Sequence, residues 1–181
     1  MIEERRLTKE VTVPEGVTVS VQGKEVHVKG PKGEIVRKLF DPTVKMEVIE
    51  NKVKLSPKRL TKKQKMLINT YVSHLKNMIS GVQKPFIYRL KVCSSHFPIS
   101  VSVEGSTFVI KNFFGEKVPR KARIVQGVKV EAKGDVVTVS GVDLEAVGQT
   151  ATNIELASRI TDRDRRVFQD GVWLFEKAVQ E

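Results

Sequence analysis

Cys93 and His96 have the spacing of half a metal site, and they come nearest in this chain to ligating or nucleophilic chemistry. A tetrahedral metal site needs further ligands. His27 and His74 are remote in sequence, no second Cys/His cluster exists, and Cys93 is the single cysteine. The turn Gly30-Pro31-Lys32-Gly33 lacks the Gly-Lys-Ser/Thr ending that a phosphate-binding loop presents before a helix. No nucleophile elbow, zincin pattern or dinucleotide fingerprint appears, and no carboxylates form a pair distinguishable from surface ions. These absences read as a non-enzymatic chain with no cofactor, no metal and no small-molecule substrate.

What the residue types do offer is cations for a polyanion. Lys32 sits in the glycine-flanked turn of Val28-Lys29-Gly30-Pro31-Lys32-Gly33-Glu34, which suits both a solvated hairpin tip and close approach to phosphate. Lys58, Arg59, Lys62, Lys63 and Lys65 put five cations within eight residues just ahead of a helical apolar stripe. Cations are unfavourable at a helix start, and phosphate would relieve the repulsion; a solvated basic face explains them equally well. Lys117, Arg120, Lys121 and Arg123 form a third group, and in the tail Arg159, Arg163, Arg165 and Arg166 are interleaved with Asp162 and Asp164.

The whole chain supports that direction. Its 181 residues carry a formal net charge of +11 and a pI near 9.8, the footprint expected of a nucleic-acid binder. The charge is uneven: residues 1–90 have a net of +10 and residues 91–181 a net of +1. No apolar run approaches a membrane span and no basic-then-apolar leader opens the chain, so no membrane role is expected. A single cysteine suits a reducing cytoplasm.

The elements that must position these residues occur twice. Residues 17–38 align without a gap on 99–120, with eight of 22 positions identical, among them Gly33 with Gly115, Glu34 with Glu116 and Val36 with Val118. Residues 44–56 align on 128–140, and Asn69 falls on Asn153. Two copies are too few for a solenoid, so the chain is expected to be a duplicated small domain, residues 1–83 and 84–181. In each copy alternating strands precede one amphipathic helix, at about 60–81 with a stop at Ser80-Gly81 and at 143–158 with Asp143 as N-cap. Residues 1–10 are expected to be mobile, Cys93 to lie on or at the end of a strand, and Asn112 to Glu116 to be a packing or stacking turn. The tail after residue 158 has no counterpart in the first copy and is a candidate for partner contacts.

Pro14-Glu15-Gly16-Val17 followed by Val26 to Glu34 resembles the opening of the sixth large-subunit ribosomal protein family. Ser140-Gly141-Val142-Asp143 with Val147-Gly148-Gln149 resembles its last hairpin and helix, and Asp164 to Val172 is similar to the tail of its archaeal and eukaryotic branch. The likeness covers residues 11–176. It implies an α+β fold, a duplication in which each copy is a curved, mostly antiparallel sheet packed on one helix. It also implies a structural constituent of the cytoplasmic large ribosomal subunit that binds large-subunit rRNA near the sarcin–ricin loop. Neighbouring ribosomal proteins near the stalk base, where translation factors dock, are the other implied partners. The family's rRNA contacts point to the tail arginines 159, 163, 165 and 166, whereas the charge count points to Lys32, Lys58, Arg59, Lys62 and Lys63. The competing reading is a free-standing RNA-binding or RNA-chaperone module.

Overall fold

A computed structural model describes residues 8–39, 41–49, 51–58 and 61–179. Within residues 1–10, expected to be mobile, positions 1–7 lie outside the described residues, as does Arg59. The chain divides into two compact units, Met1–Lys84 and Pro85–Glu181.

The first unit runs β1 (Lys9–Thr12), β2 (Thr18–Gln22), β3 (Glu25–Gly30), β4 (Gly33–Lys38), β5 (Val44–Ile49), β6 (Lys52–Pro57) and α1 (Lys62–Gln83). The second runs β7 (Phe86–Cys93), β8 (Ser100–Glu104), β9 (Thr107–Lys111), a 3-10 turn (Phe113–Gly115), β10 (Arg120–Arg123), β11 (Val128–Lys133), β12 (Val136–Gly141), α2 (Leu144–Ala157) and β13 (Gly171–Val179). The strands of each unit form two antiparallel sheets. Their orders, β2-β3-β4 with β1-β6-β5 and β8-β9-β10 with β7-β12-β11, are the same. The duplicated α+β class therefore holds, with the curved sheet of each copy resolved into two.

The correspondence reaches single hydrogen bonds. Val13 N–H donates to Asn51 O at 2.7 Å, and in the second copy Val92 N–H donates to Asp135 O at 2.7 Å. Alternation explains the burial: Val11, Val26, Val28, Val53 and Leu55 point into the first core, as Leu90, Phe108, Ile110, Val137 and Val139 point into the second. Ile68, Val72, Leu75 and Val82 of α1, and Val147, Ala151 and Ile154 of α2, supply the helical side of each core.

The ungapped alignment fails beyond β9. Val28 pairs with Ile35, but Ile110, which corresponds to Val28, pairs with Arg120. Three extra residues thus separate β9 from β10, and the identities Gly33/Gly115, Glu34/Glu116 and Val36/Val118 are not structurally equivalent. The extra residues form the 3-10 turn, which sends Phe113 into the core (1% exposed) and holds Phe114 in the left-handed region at φ 51°. A packing or stacking turn is what the sequence suggested there; Phe113 packs into the core and Phe114 meets it edge-on rather than stacked.

The expected helix stop at Ser80-Gly81 is also displaced. Gly81 is buried inside α1, which runs on to Gln83 because Val82 continues the apolar stripe. Lys84 N–H then caps Ser80 O at 2.9 Å and Pro85 prevents continuation. Val82 explains the opening turn as well. A Cβ on Gly30 would lie 2.7 Å from Val82 Cγ2, and Lys32 N–H donates to Val82 O at 3.0 Å. Gly30 is there so that the β3–β4 turn can dock on the end of α1.

Candidate nucleic-acid interface

The tail is clamped at both ends before it presents anything. The buried Ser158 hydroxyl, at the end of α2, accepts the Val172 N–H at 2.9 Å and donates to Glu155 O at 3.0 Å. At the other end Asp170, also buried, accepts the Ser95 N–H at 2.5 Å and the His96 N–H at 3.0 Å through Oδ1, while Oδ2 meets His96 Nδ1 at 2.5 Å. Burial pushes the Asp170 carboxyl up, but the His96 and Ser95 hydrogen bonds and the His96 ring outweigh it and hold the pKa below its ordinary value. β13 then adds to the free edge of β7, with Gly171 opposite Cys93 and Val172 opposite Val92.

Between the clamps, residues 159–170 stand over a cluster of rings. His96 stacks on Phe168 with centroids 4.9 Å apart, Phe114 meets Phe168 edge-on at 5.8 Å, and Phe113 meets Phe114 at 4.9 Å. The Arg163 guanidinium lies 4.8 Å over Phe168 and 5.5 Å over Phe114. Arg165 lies 5.3 Å over Trp173, whose indole N–H donates to Gln169 O at 3.0 Å. Arg166 is held differently, through a 2.7 Å pair from Nη2 to Asp164 Oδ2, which lowers the Asp164 pKa. All three side chains remain exposed to solvent. A cation resting on a ring keeps its outer face for another anion.

The remaining sequence candidates fall into distinct places. Arg120 is committed: it pairs with Glu116 at 2.6 Å, caps the carbonyls of Ala157 (3.2 Å) and Arg159 (3.0 Å), and covers the Phe113 ring at 4.1 Å. Arg159, Lys117 and Lys121 are exposed in the same unit. Lys32, Lys58, Lys62 and Lys63 are exposed in the first unit, and Arg59 lies outside the described residues. Lys62, Lys63 and Lys65 occupy the first turn of α1 after the Thr61 N-cap, with no acid in that turn. The Asp41 carboxylate, held below its ordinary pKa by the Thr43 hydroxyl and N–H and by Lys63, tempers that charge.

Cys93 ends β7 and is a free thiol. Among the described residues no three His, Cys, Asp or Glu side chains are grouped to hold a metal, and no helix is long and apolar enough to cross a membrane. Reasoning from sequence missed β13 and the ring cluster. The signal available for the cluster was the run Arg163, Arg165 and Arg166 followed closely by Phe168 and Trp173.

The chain is thus a doubled α+β protein whose second unit carries a basic, aromatic-backed tail. The chain belongs to the ribosomal protein L6 family, whose model matches residues 13–85 and 97–171, one segment for each unit. It is 47% identical over 180 residues to the large ribosomal subunit protein uL6 of Aeropyrum pernix, covering 99% of both chains. It is 45% identical over 170 residues to that of Methanospirillum hungatei (94% of this chain, 97% of the relative) and over 177 residues to that of Methanobrevibacter smithii (98% and 99%). Proteins of this family are structural, non-enzymatic parts of the ribosome, so the reading of the chain as non-enzymatic stands.

Proposed function

We propose that this protein is a structural constituent of the cytoplasmic large ribosomal subunit. It binds large-subunit rRNA near the sarcin–ricin loop and the stalk base, and so supports the region where translation factors dock. The observation that carries the RNA-facing part is the tail, where Arg163 and Arg165 rest on aromatic faces and Arg166 is oriented by Asp164 before any partner arrives. Orientation in advance removes the ordering cost that long cationic side chains otherwise bear on binding. The guanidinium fork then takes phosphate through two bonds. Arg159, Lys117 and Lys121 extend this face, with Arg120 fixing its shape from behind. Lys32, Lys58, Arg59, Lys62 and Lys63 form a second, more purely electrostatic contact on the first unit.

Co-sedimentation tests this against a free-standing RNA-binding or RNA-chaperone module. The protein is expected to stay with purified large subunits through a high-salt wash; release into the supernatant would favour the free module. In rRNA binding, replacing Arg165 and Arg166 together by Ala is expected to weaken affinity. It should also flatten the salt dependence by up to about two units of slope, about 0.7 to 0.9 for each phosphate no longer neutralised. Unchanged affinity and slope with a lowered Tm would make these arginines structural.

A further inference from the structure

Beside the Arg163 ring cluster, and sharing Arg165 with the phosphate contacts above, lies an open groove of about 510 Å³ lined by Cys93, Ser95, Arg165, Gln169 and Trp173. Its walls are fixed with unusual care for a surface feature. The Trp173 indole is tethered to Gln169 O at 3.0 Å, and Gly171 leaves room for the ring, since a Cβ there would lie 3.1 Å from its Nε1 and Cε2. The Ser95 backbone is pinned by buried Asp170 at 2.5 Å, and Cys93 is paired in the sheet with Gly171. Four segments, β7, the loop after it, the tail loop that carries Arg165 and Gln169, and β13, thus converge on this open space.

We infer that this groove receives one unpaired nucleotide of a bound RNA, its base stacked on the Trp173–Arg165 platform and its phosphate met by guanidinium. The chemistry of the lining favours that occupant over a bare anion or an acidic peptide. The indole N–H is already given to Gln169 O and so offers an anion no donor, and an acidic side chain is repelled by the negative face of the ring. A base has a π-face for the ring and the planar cation, and edge atoms for the Ser95 hydroxyl and Gln169 amide. Paired RNA hides its base faces within the stack, so a duplex does not supply this ligand. The neighbouring Arg163 and Arg166 give the flanking phosphates partners on the same loop. This inference rests on the RNA-binding reading and adds to it the state of the RNA that is recognised.

Trp173 is the single tryptophan of the chain, so its fluorescence reports this groove alone. The full-length protein is titrated with a single-stranded oligoadenylate and with a blunt duplex of equal phosphate count, binding being followed in parallel by anisotropy of end-labelled RNA. Saturable quenching is expected with the single strand and little with the duplex, and Arg165→Ala should weaken the single-strand quench at least about fivefold. Trp173→Phe should weaken single-strand binding by anisotropy by a larger factor than duplex binding. Single-strand binding with a silent tryptophan, or equal quenching by the duplex, overturns the nucleotide site while leaving RNA binding intact. Equal quenching by polyglutamate overturns it in favour of a docking site for acidic protein. Absence of any RNA binding by anisotropy removes the functional reading and this inference together. Should Trp173→Phe fail to fold, the wild-type quench and Arg165→Ala decide the matter.

Discussion

At the scale of single residues, Asp170 holds the tail in place and gives it a pH signature. Its buried carboxylate has three partners in Ser95 N–H, His96 N–H and the His96 ring, so removing it takes away the acceptor that ties residues 95 and 96 to the tail. Asp170→Ala is expected to destabilise the second unit by about 1.5–3 kcal/mol by urea denaturation, because hydrogen bonds to a charged acceptor are lost. The folded-state pKa lies below the ordinary 3.8, so the charge-dependent stabilisation is complete above that value and is lost as pH falls through the folded pKa. Wild-type Tm should therefore fall more steeply than that of Asp170→Asn on acidification from neutral pH to about 2; parallel curves would show that the carboxylate charge is idle. Gly30 offers a second test, free of charge effects. Gly30→Ala forces a methyl to within 2.7 Å of Val82 Cγ2 and 3.0 Å of Val82 O, and should cost about 1–3 kcal/mol through overpacking. A variant as stable as wild type would mean that the turn does not depend on its docking against α1.

Elements show which features a sequence carries locally and which emerge only from tertiary pairing. Alternation at Val17 to Val21 and the stripe Ile68, Val72, Leu75 are local patterns, and the strands and helices they foretold are present. The Asp143 N-cap is equally local, and its Oδ1 accepts the Glu145 N–H at 3.0 Å. β13 was illegible for the opposite reason. Its burial follows from the free edge of β7, and its pattern is broken by register shifts between Leu174 and Glu176 and between Glu176 and Val179. The three-residue insertion before β10 was hidden because identities in the loop, Gly115 and Glu116, invited an ungapped reading. In the candidate interface the arginines were legible by type and spacing, but the ring cluster beneath them draws on residues as distant as His96 and Phe114. α1 gives the test at this scale. Lys62→Glu with Lys65→Glu, which leaves the Lys63–Asp41 attraction in place, puts acids where the helix dipole favours them and should raise thermal stability by about 0.3–1 kcal/mol per site. If the same variant binds rRNA more weakly, the lysines have been kept for RNA at the expense of the helix. Gain of stability with unchanged binding would return them to a solvated face.

For the whole molecule, charge and preorganisation point to different units. Residues 1–90 carry a net of +10 and residues 91–181 a net of +1, yet the oriented arginines are in the second. These properties have different consequences for binding. Uncommitted lysines contribute through counterion release, which weakens steeply as salt rises, whereas stacking and two-bond phosphate contacts also hold when long-range attraction is screened. The two cores are each complete enough to expect independent folding: Val28, Val53, Leu55 and Leu75 are fully buried in one unit, and Leu90, Phe108, Val137 and Ile154 in the other. We therefore predict that residues 1–84 and 85–181, made separately, both fold and both bind rRNA at low salt. The first should show the steeper salt slope, with about 0.7 to 0.9 for each lysine engaged. The second should retain the greater affinity near physiological ionic strength, and lose it when Arg163, Arg165 and Arg166 are replaced together by Ala. Measuring log K against log salt for the two halves decides between them. If the first unit binds more tightly at every salt concentration, net charge governs this protein's attachment and the aromatic-backed tail serves the fold of the second unit.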